Sequence, residues 1–165
     1  MQKAKAFTLM ELLVSMLISG IVISIIYLSY EIIYKQYEEY KKINQKITQT
    51  LLLNTLLKTD FLQSHYILNK EKGLVFIDKE NHGIGYQFEE LYVLRKVNEV
   101  QDTFFIAAKE ISIKFQNEKQ EVPLGLIDEL IFDATILDEQ EHFHYQKNYG
   151  ADVLMEENLQ YNLNL

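Results

Sequence analysis

Few side chains here combine the right type with the right spacing for chemistry. His142 and His144 are one residue apart, with Asp138, Glu139 and Glu141 beside them. On a strand, residues i and i+2 share a face, so two imidazoles placed this way could hold a transition metal. No further spaced ligand set accompanies them, and a polar loop or edge strand accounts for the same residues. His65 and His82 are isolated, which suits a surface or hydrogen-bonded histidine better than a general base. Asp128, Glu129, Asp133 and Asp138 add negative charge. Asp138-Glu139-Gln140-Glu141 has the charge of a calcium loop without its glycine-bearing turn, so a solvated acidic face is expected. There is no nucleophile motif, phosphate-cradling glycine loop or zinc-protease motif. Neither catalysis, a metal nor a cofactor is expected from these residues.

Glu11 is different, because its surroundings make it costly. Lys3 and Lys5 lie in a six-residue leader, and an apolar run extends from Phe7 to Tyr30. Glu11 is its one charge, and none follows until Glu31. A carboxylate at the edge of a membrane-length segment asks for a purpose. Leu12 to Tyr30 is an uncharged stretch of about 19 residues, close to the roughly 20 that a spanning helix needs. Hydrocarbon offers the backbone no partners, so the stretch should be helical. The lysines should stay on the cytoplasmic side and the bulk of the chain outside. Gly20 reads as a tolerated small residue rather than a contact point. No proline compels a kink. A secretory signal peptide has a similar start, but its apolar core is usually about 7–15 residues and ends at a small-x-small site. This run is longer and no such site follows it. Cleavage before the run, after Ala6, fits the residues better. It would leave Phe7 first and the helix on the mature chain. Residues i and i+4 share a helix face, so a new amine at Phe7 could meet Glu11 of its own or a neighbouring chain. Glu11 could also lie at the membrane interface and reach water.

The string Phe7-Thr8-Leu9-Met10-Glu11, followed by Leu12, Leu13 and Val14 after a short basic leader, resembles the N-terminus of type IV prepilins and type II secretion pseudopilins. The resemblance covers residues 5–30. It implies cleavage between Ala6 and Phe7 by a prepilin peptidase, and methylation of the new amine. The family usually has glycine where this chain has Ala6, another small residue. It also implies that Glu11 pairs with a neighbour's amine during filament assembly. The implied partners are other pilin-like or pseudopilin subunits, prepilin peptidase and an inner-membrane assembly platform. The implied location is the inner membrane, single-pass, with the C-terminal domain periplasmic or at the cell surface.

These residues need elements to position them. After Glu31, Ile33, Tyr37, Tyr40, Asn44, Ile47, Leu51 and Asn54 recur at steps of four and three, and Glu38, Glu39, Lys41 and Lys42 fall mainly off the stripe. This predicts an amphipathic helix, with no proline or glycine from Ile21 through Glu71 to stop it. One helix from Phe7 to about Gln63 would be roughly 85 Å long. Its second half should pack on the soluble domain. A two-stranded coiled coil is the alternative, which Asn44 and Asn54 disfavour. Strands are expected at 73–77, 86–88, 91–94, 103–106, 111–115 and 130–137, with Gly83 and Gly85 bracketing a turn. The predicted fold class is α+β and pilin-like, one long N-terminal helix packed on an antiparallel sheet domain. The expected organisation is a leader (1–6), a membrane and assembly helix (7–30), its amphipathic continuation (31–64) and a β-rich soluble domain (65–165). Asp60-Phe61-Leu62-Gln63 loosely resembles a segment of minor pseudopilins of the J class.

The net charge of −8 disfavours nonspecific nucleic-acid binding. Lys41, Lys42 and Lys46 lie near Glu38 and Glu39 and read as a solvated helix face. The absence of cysteine excludes disulfides and thiolate metal sites. Two function classes remain. One is a structural subunit of a type II secretion or type IV pilus-like filament. The other is an uncleaved single-pass membrane protein whose outer domain binds a ligand or partner. A tethered enzyme is a weaker third, since no reactive set is visible.

Overall fold

The computed structural model describes residues 8–70, 73–80, 82–119, 125–137 and 139–155. The leader with Lys3, Lys5 and Ala6, together with Phe7 and Asp138, lies outside the described residues. The chain divides into two compact units, Met1–Asn44 and Gln45–Leu165. One long N-terminal helix, α1 (Leu9–Gln63), is followed by two antiparallel sheets, an α+β, pilin-like arrangement.

In the first unit, α1 shows its apolar side chains to the outside. Leu13, Leu17, Ile21 and Ile25 are each more than half exposed. In the second unit the same helix has a buried stripe made of Thr50, Leu53, Leu57, Asp60 and Phe61. This corrects the stripe expected from spacing. Leu51, expected on that stripe, is 60% exposed, whereas Leu53 is 2% exposed. Leucines at 51, 52, 53, 56 and 57 put apolar groups on several faces, so periodicity alone could not choose between them.

The first sheet is a meander of β1 (Tyr66–Lys70), β2 (Gly73–Ile77), β3 (Gly83–Phe88), β4 (Val93–Val97) and β5 (Val100–Phe104). Gly83 and Gly85 lie inside β3 rather than around a turn. The turn forms earlier, where Asp78 Oδ1 accepts hydrogen bonds from the backbone N–H groups of Glu80 (2.8 Å) and His82 (2.9 Å). Gly73 is required for space, because a Cβ there would collide with the Tyr86 carbonyl. The second sheet holds β6 (Ala108–Phe115), β7 (Glu118–Lys119), β8 (Glu129–Ile136) and β9 (Glu139–Gln146) in the order β7-β6-β8-β9. Gln116 and Asn117 both have positive φ, as the two-residue β6–β7 hairpin needs. Glu110, also at positive φ, sits where the β6–β8 register shifts between Lys109 and Ser112.

The sheets meet where Ile127 N–H donates to the Ile67 carbonyl (3.0 Å) and Asn69 N–H to that of Gly125 (2.9 Å). The core joins the end of α1 to both sheets through aromatic contacts. Phe61 is 5.2 Å from Phe76 and 5.5 Å from Tyr145, and Phe132 packs on Phe88, Phe143 and Tyr145. Leu57, Ile67, Leu74 and Leu130 fill the gaps with no exposure at all.

Candidate functional site

The start of α1 is built around Glu11. Thr8 precedes the helix, and its backbone N–H (2.9 Å) and hydroxyl (3.0 Å) both donate to Glu11 Oε2. The backbone N–H of Glu11 donates back to Thr8 Oγ1 at 3.3 Å. This reciprocal pair is a capping box, which satisfies donors that the first helical turn leaves unpaired. It also gives the carboxylate a fixed position at the head of the apolar run. The Thr8-x-x-Glu11 spacing that signals it is present in the sequence, inside the longer string that carries the family resemblance.

The run itself hides its polar atoms. The hydroxyls of Ser15, Ser19, Ser24 and Ser29 each donate at 2.8 Å to the carbonyl four residues earlier. Four polar side chains are thereby satisfied within the helix and do not oppose an apolar environment. A Cβ on Gly20 would meet nothing within 4 Å, in keeping with a tolerated small residue. Helix α1 is long and apolar enough to cross a membrane, and no part of its most apolar stretch is buried.

The other sequence candidates occupy different ground. His142 and His144 do share one face of β9, but each meets its own acid on β8. His142 Nδ1 is 2.6 Å from Asp133 Oδ1, and His144 Nε2 is 2.8 Å from Glu129 Oε1. Lys114 Nζ reaches Glu129 Oε2 at 2.8 Å. The Lys114 hydrogen bond, joined by that of His144, holds the Glu129 carboxyl below its usual range, and His142 does the same for Asp133. Among the described residues, no group of three His, Cys, Asp or Glu is arranged to hold a metal ion. His82 faces Asp78 on the surface, and His65 stacks edge-on to Tyr66.

A buried polar cluster lies beyond what sequence reasoning found. Asp60, 6% exposed, accepts hydrogen bonds from Tyr86 Oη (2.6 Å) and Arg95 Nε (3.0 Å). Arg95 also donates to Tyr86 Oη at 2.9 Å, and its Nη1 lies 3.8 Å from Asp102. Burial, reinforced by the Asp60 carboxylate, pushes the Tyr86 phenol above the usual tyrosine range. Nearby, Lys147 Nζ donates to the Phe61 carbonyl at 3.0 Å, and Tyr145 Oη to Asn54 Oδ1 at 2.7 Å. These contacts fasten the last turns of α1 to both sheets. One signal points here: Arg95 is the sole arginine among 16 basic residues.

Residues 1–27 match the family described as the prokaryotic N-terminal methylation motif. The match includes the capped Glu11 and most of the apolar run. The chain fits a type IV pilin-like protein. Motif and helix together support a pilin- or pseudopilin-type subunit, which implies assembly with other pilin subunits and processing by prepilin peptidase. The motif family is structural rather than enzymatic, and the helix is compatible with a single-pass inner-membrane anchor. No curated protein and no solved structure matches the chain.

Proposed function

We propose that this pilin-like chain is a minor subunit of a type II secretion or type IV pilus-like filament, with the J class of minor pseudopilins favoured. Cleavage falls between Ala6 and Phe7, and the new Phe7 amine is methylated. The domain from residue 65 onward lies outside the inner membrane, and an inner-membrane platform assembles the subunit. The observation that carries this reading is the coincidence of the methylation motif with a capped carboxylate at the head of an outward-facing apolar helix. In an apolar layer, Glu11 and a neighbour's amine are each costly alone and attract strongly together. A joining subunit is thereby drawn into one register.

Glu11→Gln keeps the shape and removes the charge, and Glu11→Ala removes both. In cross-linking of native membranes, both variants should lose contact with partner subunits while the domain stays folded. Equal cross-linking in wild type and both variants would refute the role of Glu11.

A further inference from the structure

The apolar helix is not uniform along its length. Residues 8–26 contain no aromatic side chain, and five of the eleven tyrosines then fall at positions 27, 30, 34, 37 and 40. Tyr27, Tyr30 and Tyr34 are 61%, 65% and 53% exposed. The Tyr27 hydroxyl donates to Glu31 Oε1 at 3.2 Å, so the first charge after the run is partnered by a tyrosine one turn back inside it. The rings of Tyr30 and Tyr34 stack at 6.2 Å. A tyrosine has an apolar body and a polar tip, which is why it concentrates where hydrocarbon meets headgroups.

The distances fit that boundary. At 1.5 Å per residue, Tyr27, Tyr30 and Tyr34 lie about 24, 28 and 34 Å along the helix from Glu11. The hydrocarbon layer is about 30 Å thick, and about 40–45 Å with its headgroup regions. With Glu11 at one edge, the three tyrosines straddle the other. A seam against another helix would favour Leu, Ile or Val at this spacing, and the chain uses those residues freely elsewhere in α1.

We infer that Tyr27, Tyr30 and Tyr34 bind the phospholipid headgroup layer at the far end of the span and thereby set the depth at which Glu11 sits. This rests on the reading of α1 as a membrane anchor. Glu31, bonded to Tyr27, falls within that layer, between Tyr30 and Tyr34 along the helix.

The chain has no tryptophan and no cysteine, so one tryptophan is a clean depth probe. The full chain would be placed in phosphatidylethanolamine–phosphatidylglycerol vesicles with bromines at shallow or deep acyl positions. Val22→Trp should be quenched most by deep bromines, and Tyr30→Trp and Tyr34→Trp most by shallow ones. Replacing all three tyrosines by alanine should shift the Val22→Trp profile, because the span loses its stop. If Val22→Trp is not quenched at all, the anchor reading itself fails. If Val22→Trp is deep but positions 30 and 34 are not quenched, the tyrosines face water or a neighbouring helix, and the inference is overturned. An unchanged Val22→Trp profile in the triple variant would also overturn it.

Discussion

Leu12 and Leu53 lie on one helix and differ completely in surroundings. Leu12 is 57% exposed and Leu53 is 2% exposed. From Leu12 to Tyr30, α1 presents apolar side chains all round, whereas from Thr50 to Phe61 it buries a single stripe under its own domain. A helix that is apolar all round needs an apolar surround, and the first unit does not supply one. The second half of α1 is stabilised by its own chain. The first half requires a membrane or another subunit, and Glu11 and the serine bonds are arranged for that surround.

Mutations should separate the two halves. The largest effect is expected at Phe61, which contacts Phe76 and Tyr145. In a fragment spanning 31–165, Phe61→Ala should cost about 3–5 kcal/mol in urea unfolding. In the full chain, Leu17→Ala should leave the unfolding of the domain unchanged, since Leu17 is 63% exposed and lies in the other unit. A comparable loss at both positions would erase the distinction.

The buried cluster comes next. Arg95→Met leaves the Asp60 carboxylate buried without its cation and should cost roughly 3 kcal/mol. Adding both Asp60→Leu and Tyr86→Phe should recover much of that loss, because apolar groups of similar volume can replace a buried ion pair once no partner hydroxyl is left unsatisfied. A triple variant no more stable than Arg95→Met would assign the effect to packing.

A smaller and local effect is expected at Thr8. Thr8→Ala removes the cap and should cost the helix start about 1 kcal/mol, read as faster amide exchange near residues 9–12 in detergent. Unchanged exchange there would mean the box contributes nothing.

The smallest effect is electrostatic. Glu129 and Asp133 have carboxyls held below their ordinary values in the folded domain. Their contribution is fully present above the ordinary carboxylate range, about pH 4 and upward, and is lost as pH falls through the lowered folded values. The urea midpoint should therefore drop on acidification, and less so in Glu129→Gln or Asp133→Asn. Both groups border solvent, so the differences should be modest.

Much of the fold was legible because its signals are local. The uncharged run, the long gap without proline or glycine, and the alternation at 111–115 and 130–137 each name an element within a few residues. Strand β2 fell where expected, and β1 was missed because Tyr66–Lys70 has no clean alternation. The glycines at 83 and 85 were misplaced because the Asp78 side chain makes the turn instead. The Glu11 cap was legible as a threonine and a glutamate three residues apart, although those residues enter the sequence reading only as part of the string that carries the family resemblance. The Asp60–Tyr86–Arg95 cluster was not, since its members are separated by 26 and 35 positions and meet only when the sheet folds onto α1. The choice of Leu53 over Leu51 as a buried residue likewise depends on tertiary packing.

The pilin-like assignment depends most directly on the mature amino terminus. Intact-mass analysis and N-terminal sequencing of the protein from its native membrane should show a chain that begins at Phe7 with a methylated amine. A chain that still begins at Met1, in cells with an active prepilin peptidase, would contradict it.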